Sequence, residues 1–233
     1  MKISKILFPF LAIFMASSCV KLPEFGDNNN DDDSKYASFT FTEEQAKQNA
    51  DTFLGNEYQV TFTLGTDESN STYVFGQKEN VQWCLFGDEE DGNDGMAIVV
   101  EGMTTHLYDY TSEGFEYTAS VSTEGEENEF KDLYASILKN YFYIGYGYEG
   151  TVSKAGKATV AGRTGTKYAF VASAYGVTTS YTVVLDDEIG ITLLYSYSLR
   201  GAEENISLNF EVKEILTGSA VTAPTLPEPV LED

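Results

Sequence analysis

The chain has 233 residues, of which 37 are Asp or Glu and 14 are Lys or Arg, and its formal net charge is −23. A protein this acidic repels phosphate backbones and anionic lipid head groups, so nucleic-acid binding and electrostatic docking on a membrane are both disfavoured. If the first part of the chain serves as an export signal and a tether, as argued below, the remaining length suits one domain that is large enough to bury a core.

The beginning of the chain is typical of a bacterial export signal. Two lysines precede an apolar run at positions 6–15, which is too short to span a bilayer. Small residues at positions 16–18 then lead into Cys19, a pattern that resembles the lipobox of bacterial lipoproteins. The resemblance implies cleavage before Cys19, a diacylglyceryl thioether on its sulfur and an acyl chain such as palmitate on its amine.

We therefore expect a signal peptide at residues 1–18 and a membrane anchor at Cys19, which places the protein in the cell envelope on the outer membrane. Whether it faces the periplasm or the cell surface stays open. Residues 19–35 contain the run Gly-Asp-Asn-Asn-Asn-Asp-Asp-Asp-Ser, which has nothing to bury and predicts a disordered acidic tether. Acidic residues after a lipidated cysteine also resemble a surface-export signal, and a plain solvated linker is the alternative. We expect one β-rich domain at 36–227 and a tail at 228–233.

The domain is predicted to open with a helix. Thr42 is a good N-cap and Gln45 completes a capping box three residues later. Ala46, Ala50, Phe53 and Leu54 follow at helical spacing, and Gly55 is predicted to end the helix at the C′ position.

Most of the remaining chain alternates between apolar and polar residues, with turn residues between the segments. This period of two predicts β-strands joined by short loops. The predicted strands are 58–64, 72–75, 81–86, 96–101, 104–110, 115–121, 151–155, 157–160, 166–172, 178–185, 191–199 and 206–215. Residues 88–95 are predicted to be an acidic loop.

A second helix interrupts the strands. Apolar residues recur with the spacing of one helical face at Phe130, Leu133, Tyr134, Ile137, Leu138 and Tyr141. Short connections favour antiparallel neighbours, and an amphipathic helix must bury its apolar face on the sheet. We therefore predict a mostly β (α+β) fold, with an open, curved antiparallel sheet of roughly a dozen strands, a half-barrel, around about two helices.

The C-terminal half carries a family resemblance. Val-Ala-Gly at 160–162, Lys-Tyr-Ala-Phe at 167–170, a strand that leads into Asp-Asp-Glu-Ile-Gly at 186–190, Phe-Glu-Val at 210–212 and Ala-Pro-Thr-Leu-Pro at 223–227 occur in order. This order resembles the outer-membrane lipoprotein-carrier (LolA/LolB-like) superfamily. The resemblance implies an unclosed barrel with a helical lid and an apolar concavity that holds lipid or acylated protein.

The implied cleft has a candidate lining. It combines one face of the first strand with the apolar face of the second helix, namely Tyr58, Val60, Phe62, Leu64, Phe130, Leu133, Tyr134, Ile137, Leu138 and Tyr141. Strand periodicity alone does not say which alternate set of residues faces inward. A lipid or another amphiphile is the expected ligand.

Catalytic residues are scarce. His106 is the one histidine, and a strand position beside hydroxyl side chains favours a hydrogen-bonded residue over a base. Cys84 stands in an apolar strand and is predicted to be a buried hydrophobic residue rather than a reactive thiol. The acidic loop lacks the order of an EF-hand, so a solvated loop is preferred to a calcium site. We expect no enzymatic activity, no cofactor and no metal.

Two functions remain from the sequence. The first is a non-enzymatic lipoprotein that binds a lipid or other apolar ligand in the cleft. The second is a cell-surface module with a filled core, which binds glycan or protein through exposed tyrosines, since the chain has 16 tyrosines. The oligomeric state is not predicted.

Overall fold

The computed structural model describes residues 38–88, 92–123, 128–147, 152–174, 176–201 and 205–230. The predicted signal peptide and the whole of the predicted tether therefore lie outside the described residues. So do residues 89–91 of the acidic loop and residues 231–233 of the tail.

Within the described residues the fold is one sheet of eleven antiparallel strands with two helices. The strands are β1 Tyr58–Gly65, β2 Asn70–Lys78, β3 Val81–Asp88, β4 Gly92–Glu101, β5 Thr104–Thr111, β6 Gly114–Ser122, β7 Ser153–Val160, β8 Arg163–Ala174, β9 Val177–Asp186, β10 Thr192–Arg200 and β11 Asn205–Thr217. The helices are α1 Glu43–Leu54 and α2 Leu133–Tyr143, and single 3-10 turns follow at Ile144–Tyr146 and Gly218–Ala220.

The strand order shows that the sheet consists of two meanders. The order is β6-β5-β4-β3-β2-β1-β11-β10-β9-β8-β7, so the two meanders join where β1 pairs with β11. The strands β6 and β7 end the sheet and do not pair with each other, so the sheet is open. This confirms the predicted fold class, a mostly β, open, antiparallel half-barrel.

Helix α1 begins at the predicted cap and ends at the predicted glycine, but the backbone conformation at that glycine differs from the expected one. The Thr42 side chain accepts from the Gln45 backbone N–H while the Gln45 side chain accepts from the Thr42 N–H, so the capping box is complete. Gly55 ends the helix with φ −73°, which is ordinary right-handed geometry, rather than in the left-handed C′ conformation expected for glycine. Its N–H donates to the Asp51 carbonyl.

Helix α2 starts later than its apolar spacing predicted. Phe130 precedes the helix, in a turn that Asn128 holds by accepting from the Phe130 N–H. The apolar spacing continued across this turn because Phe130 still packs on the same core. The helix ends at Tyr143, two residues beyond the predicted end.

One strand prediction and one loop prediction were wrong. The segments predicted at 151–155 and 157–160 form one strand, β7, with a bulge beside Gly156, whose φ of +105° suits glycine. The acidic loop predicted at 88–95 is shorter than expected, because β3 continues to Asp88 and β4 begins at Gly92. Turn-forming residues therefore extend a hairpin here rather than interrupt it.

The main core lies between the helices and one face of the sheet, which we call the inner face and define by Val60, Phe62 and Phe75. Ala50 and Leu54 of α1, and Leu138 and Phe142 of α2, belong to the same buried cluster. The opposite, outer face carries a smaller cluster of Trp83, Ala97 and Tyr108, and Val221 of the C-terminal segment covers it.

Candidate functional site

The ten residues predicted to line a cleft do come together in the structure. Seven of them are buried and all ten belong to the core between α2 and β1; Phe130, Leu133 and Ile137 are the half-buried members. The alternation along β1 is complete, since Tyr58, Val60, Phe62 and Leu64 face inward. The structure thus shows which alternate set of β1 residues faces inward, a question that strand periodicity alone did not answer.

These residues fill the space rather than enclose it. Phe62 contacts four other rings, with centroid distances of 5.3 Å to Tyr73, 5.7 Å to Phe75, 5.0 Å to Tyr141 and 5.2 Å to Phe210. Phe62 and Leu138 have no accessible surface. A side chain without accessible surface borders no space that is wide enough for a water molecule, so the helix packs directly on the sheet at this point.

Helix α2 is held at its beginning by a buried amide. The Gln82 side chain donates to the carbonyl oxygens of Phe130 and Lys131, at 3.1 and 2.6 Å, and accepts from the Tyr134 N–H at 3.4 Å. Gln82 is 3% exposed. One side chain from β3 therefore satisfies the Tyr134 N–H, one of the N–H groups that a helix start leaves unpaired, and also binds two carbonyl groups of the preceding turn.

The end of α2 is held equally closely. The Gly145 N–H donates to Thr192 Oγ1, and the Tyr181 hydroxyl donates to the Gly145 carbonyl at 2.5 Å. A side chain at Gly145 would meet Val183 at 2.5 Å, so glycine permits this close approach of the backbone to the sheet. Together with the Gln82 contacts, these bonds fix both ends of α2 to the inner face.

One buried polar atom in this core is unsatisfied. Tyr58 is fully buried, and its hydroxyl has no hydrogen-bond partner among the described residues. Burial raises the pKa of this phenol well above its usual value, so it remains neutral. A buried hydroxyl without a hydrogen-bond partner lowers the stability of the folded state.

A second concavity lies on the outer face, and no sequence pattern pointed to it. It has a volume of about 460 Å³, and we call it the outer groove. It is lined by Thr63, Asn70, Leu194, Tyr195, Ser196, Asn209, Phe210, Glu211 and Lys213. Thr63 and Leu194 both pair with Glu211, so β1, β10 and β11 bring these three residues side by side.

The outer groove presents several kinds of hydrogen-bonding group. Glu211 and Lys213 form an ion pair at 2.6 Å. Ser196 Oγ donates to Asn209 Oδ1 at 2.8 Å, and the Asn209 amide nitrogen donates to Asp67 at 2.9 Å. These contacts orient a carboxylate, an ammonium group, an amide and a hydroxyl on a rigid sheet. Such a set matches a ligand that is rich in hydroxyl and amide groups.

Two irregularities in strand pairing shape the outer groove. The register between β1 and β11 shifts between Thr61 and Phe62, which leaves Lys213 as the extra residue on β11. The register between β10 and β9 shifts between Thr192 and Leu194. Bulges bend a strand and turn side chains in new directions. A bulge depends on the pairing of strands that are distant in the chain, so no local sequence pattern predicts this site.

The residues weighed as catalytic candidates are buried, and one of them is hydrogen-bonded to a neighbouring strand. His106 is 7% exposed, and its Nδ1 lies 2.7 Å from Ser120 Oγ, which confirms a hydrogen-bonded strand residue. Cys84 is 2% exposed in the main core, and burial raises the pKa of its thiol, so it packs as a small apolar residue, as predicted. In the part of the chain that the structure describes, no three His, Cys, Asp or Glu side chains gather as a metal site.

Within the described residues, tyrosines do not form the exposed binding surface that the sequence suggested. Tyr58, Tyr108, Tyr168 and Tyr181 are among the largest fully buried side chains, and no tyrosine within the described ranges is in the exposed class. The rings pack in the interior, and several hydroxyls reach backbone groups; Tyr146, for example, donates to the Gly190 carbonyl at 2.7 Å.

Among the described helices, none combines the length and apolarity of a membrane-crossing segment.

Comparisons with known proteins give distant structural likenesses. No protein-family model and no curated protein matches the chain. It is similar to MucB in three structures: the Pseudomonas aeruginosa MucA/MucB complex (15% identity, TM-score 0.38), MucB in complex with MucA(peri) (17%, 0.31) and MucB (17%, 0.35). The matches cover 77, 77 and 78% of this chain and 58, 56 and 60% of those chains, less than two thirds of their length.

Proposed function

We propose that the protein is a non-enzymatic binding module of the bacterial envelope, tethered to a membrane by lipid at Cys19. Its ligand is neutral and rich in hydroxyl groups, such as a glycan chain, and it binds in the outer groove. The observation that carries the proposal is the lining of that groove, where oriented hydroxyl, amide, carboxylate and ammonium groups stand on a rigid sheet. The filled inner core supports the same choice, because it leaves no opening at Phe62 or Leu138.

The groove is tested with two charge-neutralising variants, Glu211→Gln and Lys213→Met. The purified protein is applied to an array of neutral bacterial and host glycans, and each positive glycan is titrated by calorimetry. We expect each variant to weaken binding about tenfold, since each removes a charge-assisted hydrogen bond worth about 1.5 kcal/mol.

Matched controls are available on α1, where Glu44→Gln and Lys47→Met make the same chemical changes away from the groove. Both controls are expected to bind like the wild type. A glycan that binds all five proteins equally would place its site elsewhere, and an array without any positive glycan would contradict the proposed ligand class.

A second candidate function is the binding of a lipid or another apolar ligand on the inner face, as in the carriers that the sequence resembles. One observation favours it: the inner face is aromatic, and the buried Tyr58 hydroxyl there lacks a partner that a ligand head group would supply. Such a ligand must replace the α2 side chains, because these occupy the space now.

Gln82→Ala separates the two candidates, because it releases the start of α2 without touching the outer groove. Under the carrier hypothesis, this variant takes up the apolar probe 1-N-phenylnaphthylamine more readily than the wild type, and native mass spectrometry of the wild type shows co-purified lipid. Under the groove hypothesis, both proteins are free of lipid, and glycan binding is unchanged by Gln82→Ala.

The membrane tether has its own test. Cys19→Ala is expected to abolish metabolic labelling with an alkyne-bearing fatty acid and to release the protein from membranes, because it removes the acylated sulfur. Cys84→Ala is the matched control and keeps the label, since Cys84 is buried in the core. Labelling that persists in Cys19→Ala would contradict the lipoprotein hypothesis.

A further inference from the structure

The two edges of the sheet differ in how they are protected. The β7 edge carries Lys154 and Lys157 and a bulge at Gly156, and its Cα atoms come within 8 Å of β11. Edge lysines and bulges are the usual devices that prevent an edge strand from pairing with another chain. The β7 edge is therefore blocked by its own sequence.

The β6 edge is less protected. Its register against β5 shifts between Leu107 and Tyr108, which leaves Thr118 as an extra residue and makes one bulge, but the edge carries no lysine. It spans nine residues, Gly114–Ser122, without lysine, arginine or proline. Every residue of the strand is exposed or half-buried, and its recorded pairing is with β5 alone. A strand of nine residues extends about 30 Å, and on either side of the bulge at Thr118 alternate residues turn their N–H and C=O away from the sheet.

Among the described residues of β5, β6 and their connecting turn, no lysine or arginine accompanies the carboxylates. Asp109 lies directly opposite Glu116 in the β5–β6 register, and both are exposed, as is Glu113 in the connecting turn. None of the three takes part in an ion pair within the described residues. Like charges that face each other across a strand pair are unfavourable. A cation beside Asp109 and Glu116 would relieve that repulsion.

We propose that β6 is a docking edge for an extended, lysine- or arginine-rich segment of a partner protein, which adds to the sheet as a further strand. The unpaired backbone groups of β6 supply the hydrogen bonds, and Asp109, Glu113 and Glu116 supply the charge preference. A second copy of this chain is a poor occupant, because pairing β6 with β6 would bring the same carboxylates of two chains of net charge −23 together.

The experiment uses an acetylated nine-residue peptide of alternating lysine and valine, together with the same peptide N-methylated along its backbone. We expect the unmodified peptide to bind and to slow amide hydrogen exchange within 114–122. The N-methylated peptide keeps the charge and lacks the backbone donors, so it is expected to lose binding by at least tenfold. Equal binding of the two peptides would overturn strand addition.

Two charge reversals localise the effect. Glu116→Lys is expected to weaken binding about tenfold at low salt, because attraction becomes like-charge repulsion at the edge. Glu68→Lys changes the net charge equally in the β1–β2 turn and is expected to bind like the wild type. Equal weakening in both variants would show non-specific attraction and overturn the proposal. The proposal would also be overturned if the peptide left amide hydrogen exchange within 114–122 unchanged. The same holds if light scattering showed a wild-type dimer whose β6 amides are protected without peptide.

Discussion

At the scale of single residues, Gly76 and Trp83 pack directly against each other on the outer face. A side chain at Gly76 would lie 2.1 Å from the Trp83 indole, closer than atoms can come without displacement. Gly76 is therefore required for packing and not for a special backbone angle. The pair is 7 residues apart on neighbouring strands, and their register places them directly opposite each other.

Gly76→Ala is expected to displace the indole and to lower the free energy of unfolding by about 2 kcal/mol, the usual cost of overpacking. Trp83 is the one tryptophan of the chain, so the emission maximum of the folded protein reports its environment directly and is expected to shift to the red. Gly147→Ala is the matched control, because a side chain there meets only the Ile144 carbonyl, at 3.6 Å. Equal emission spectra for Gly76→Ala and the wild type would show that the indole packs elsewhere.

A buried carboxylate gives the second prediction at this scale. Asp186 is 1% exposed; its two oxygens accept from Arg163, and Oδ1 also accepts from the N–H groups of Glu188 and Ile189. Arg163→Met removes the cation and leaves the charge buried, so we expect a loss of roughly 3 kcal/mol in urea unfolding. Arg200→Met is the control. Its ion pair with Asp67 is exposed on both sides, and its removal is expected to cost less than about 1 kcal/mol.

Contacts between residues that are close in the sequence could be predicted from it, whereas contacts between residues that are far apart in the sequence could not. The capping box of Thr42 and Gln45 was visible because both partners lie within one turn of chain. The ion pair of Arg163 with Asp186 was not predicted, because the two residues meet only when β8 and β9 pair as a hairpin. The outer groove was missed for the same reason, because Lys213 is directed by a register shift against β1.

At the scale of elements, α2 shows how much a periodic pattern reveals. Its apolar spacing correctly predicted a helix packed on the sheet, and Lys139 pairs with Asp51 to connect it to α1. The pattern did not predict that the helix fills the concavity. Cleft and core need the same apolar residues, and only the distance between α2 and β1 distinguishes them. That distance depends on contacts such as those of Gln82, which no periodicity records.

Leu138 is the sharpest position for testing the role of α2, because it has no exposed surface, whereas Leu133 and Ile137 are half-buried. Leu138→Asp would bury an unpaired carboxylate, so we expect a loss of at least 4 kcal/mol or a failure to fold. Ser136→Asp adds the same group on the exposed side of the helix and is expected to leave the melting temperature within about 2 °C. A Leu138→Asp protein as stable as the wild type would show that α2 detaches without cost.

At the scale of the whole molecule, the strand order joins two meanders along one seam, where β1 pairs with β11. The halves are not separate domains. Phe62 of β1 contacts Phe75 of the first meander, Phe210 of the second and Tyr141 of α2. The main buried cluster likewise takes residues from both meanders and both helices. Neither half has a complete core of its own, so the two are expected to unfold together.

Phe62→Ala tests this expectation, because it removes a ring that touches both meanders and a helix. We expect it to lower the free energy of unfolding by about 4 kcal/mol, since a fully buried phenylalanine leaves a cavity at the seam. Trp83 emission follows the first meander, while far-UV circular dichroism follows the whole sheet. Within each protein, the tryptophan emission and the circular dichroism are expected to change at the same urea concentration. Phe62→Ala is expected to lower this midpoint equally for both signals. If the tryptophan signal changed at one concentration and half of the dichroism at another, the meanders would be independent units, and the seam would be an interface between domains rather than the centre of one.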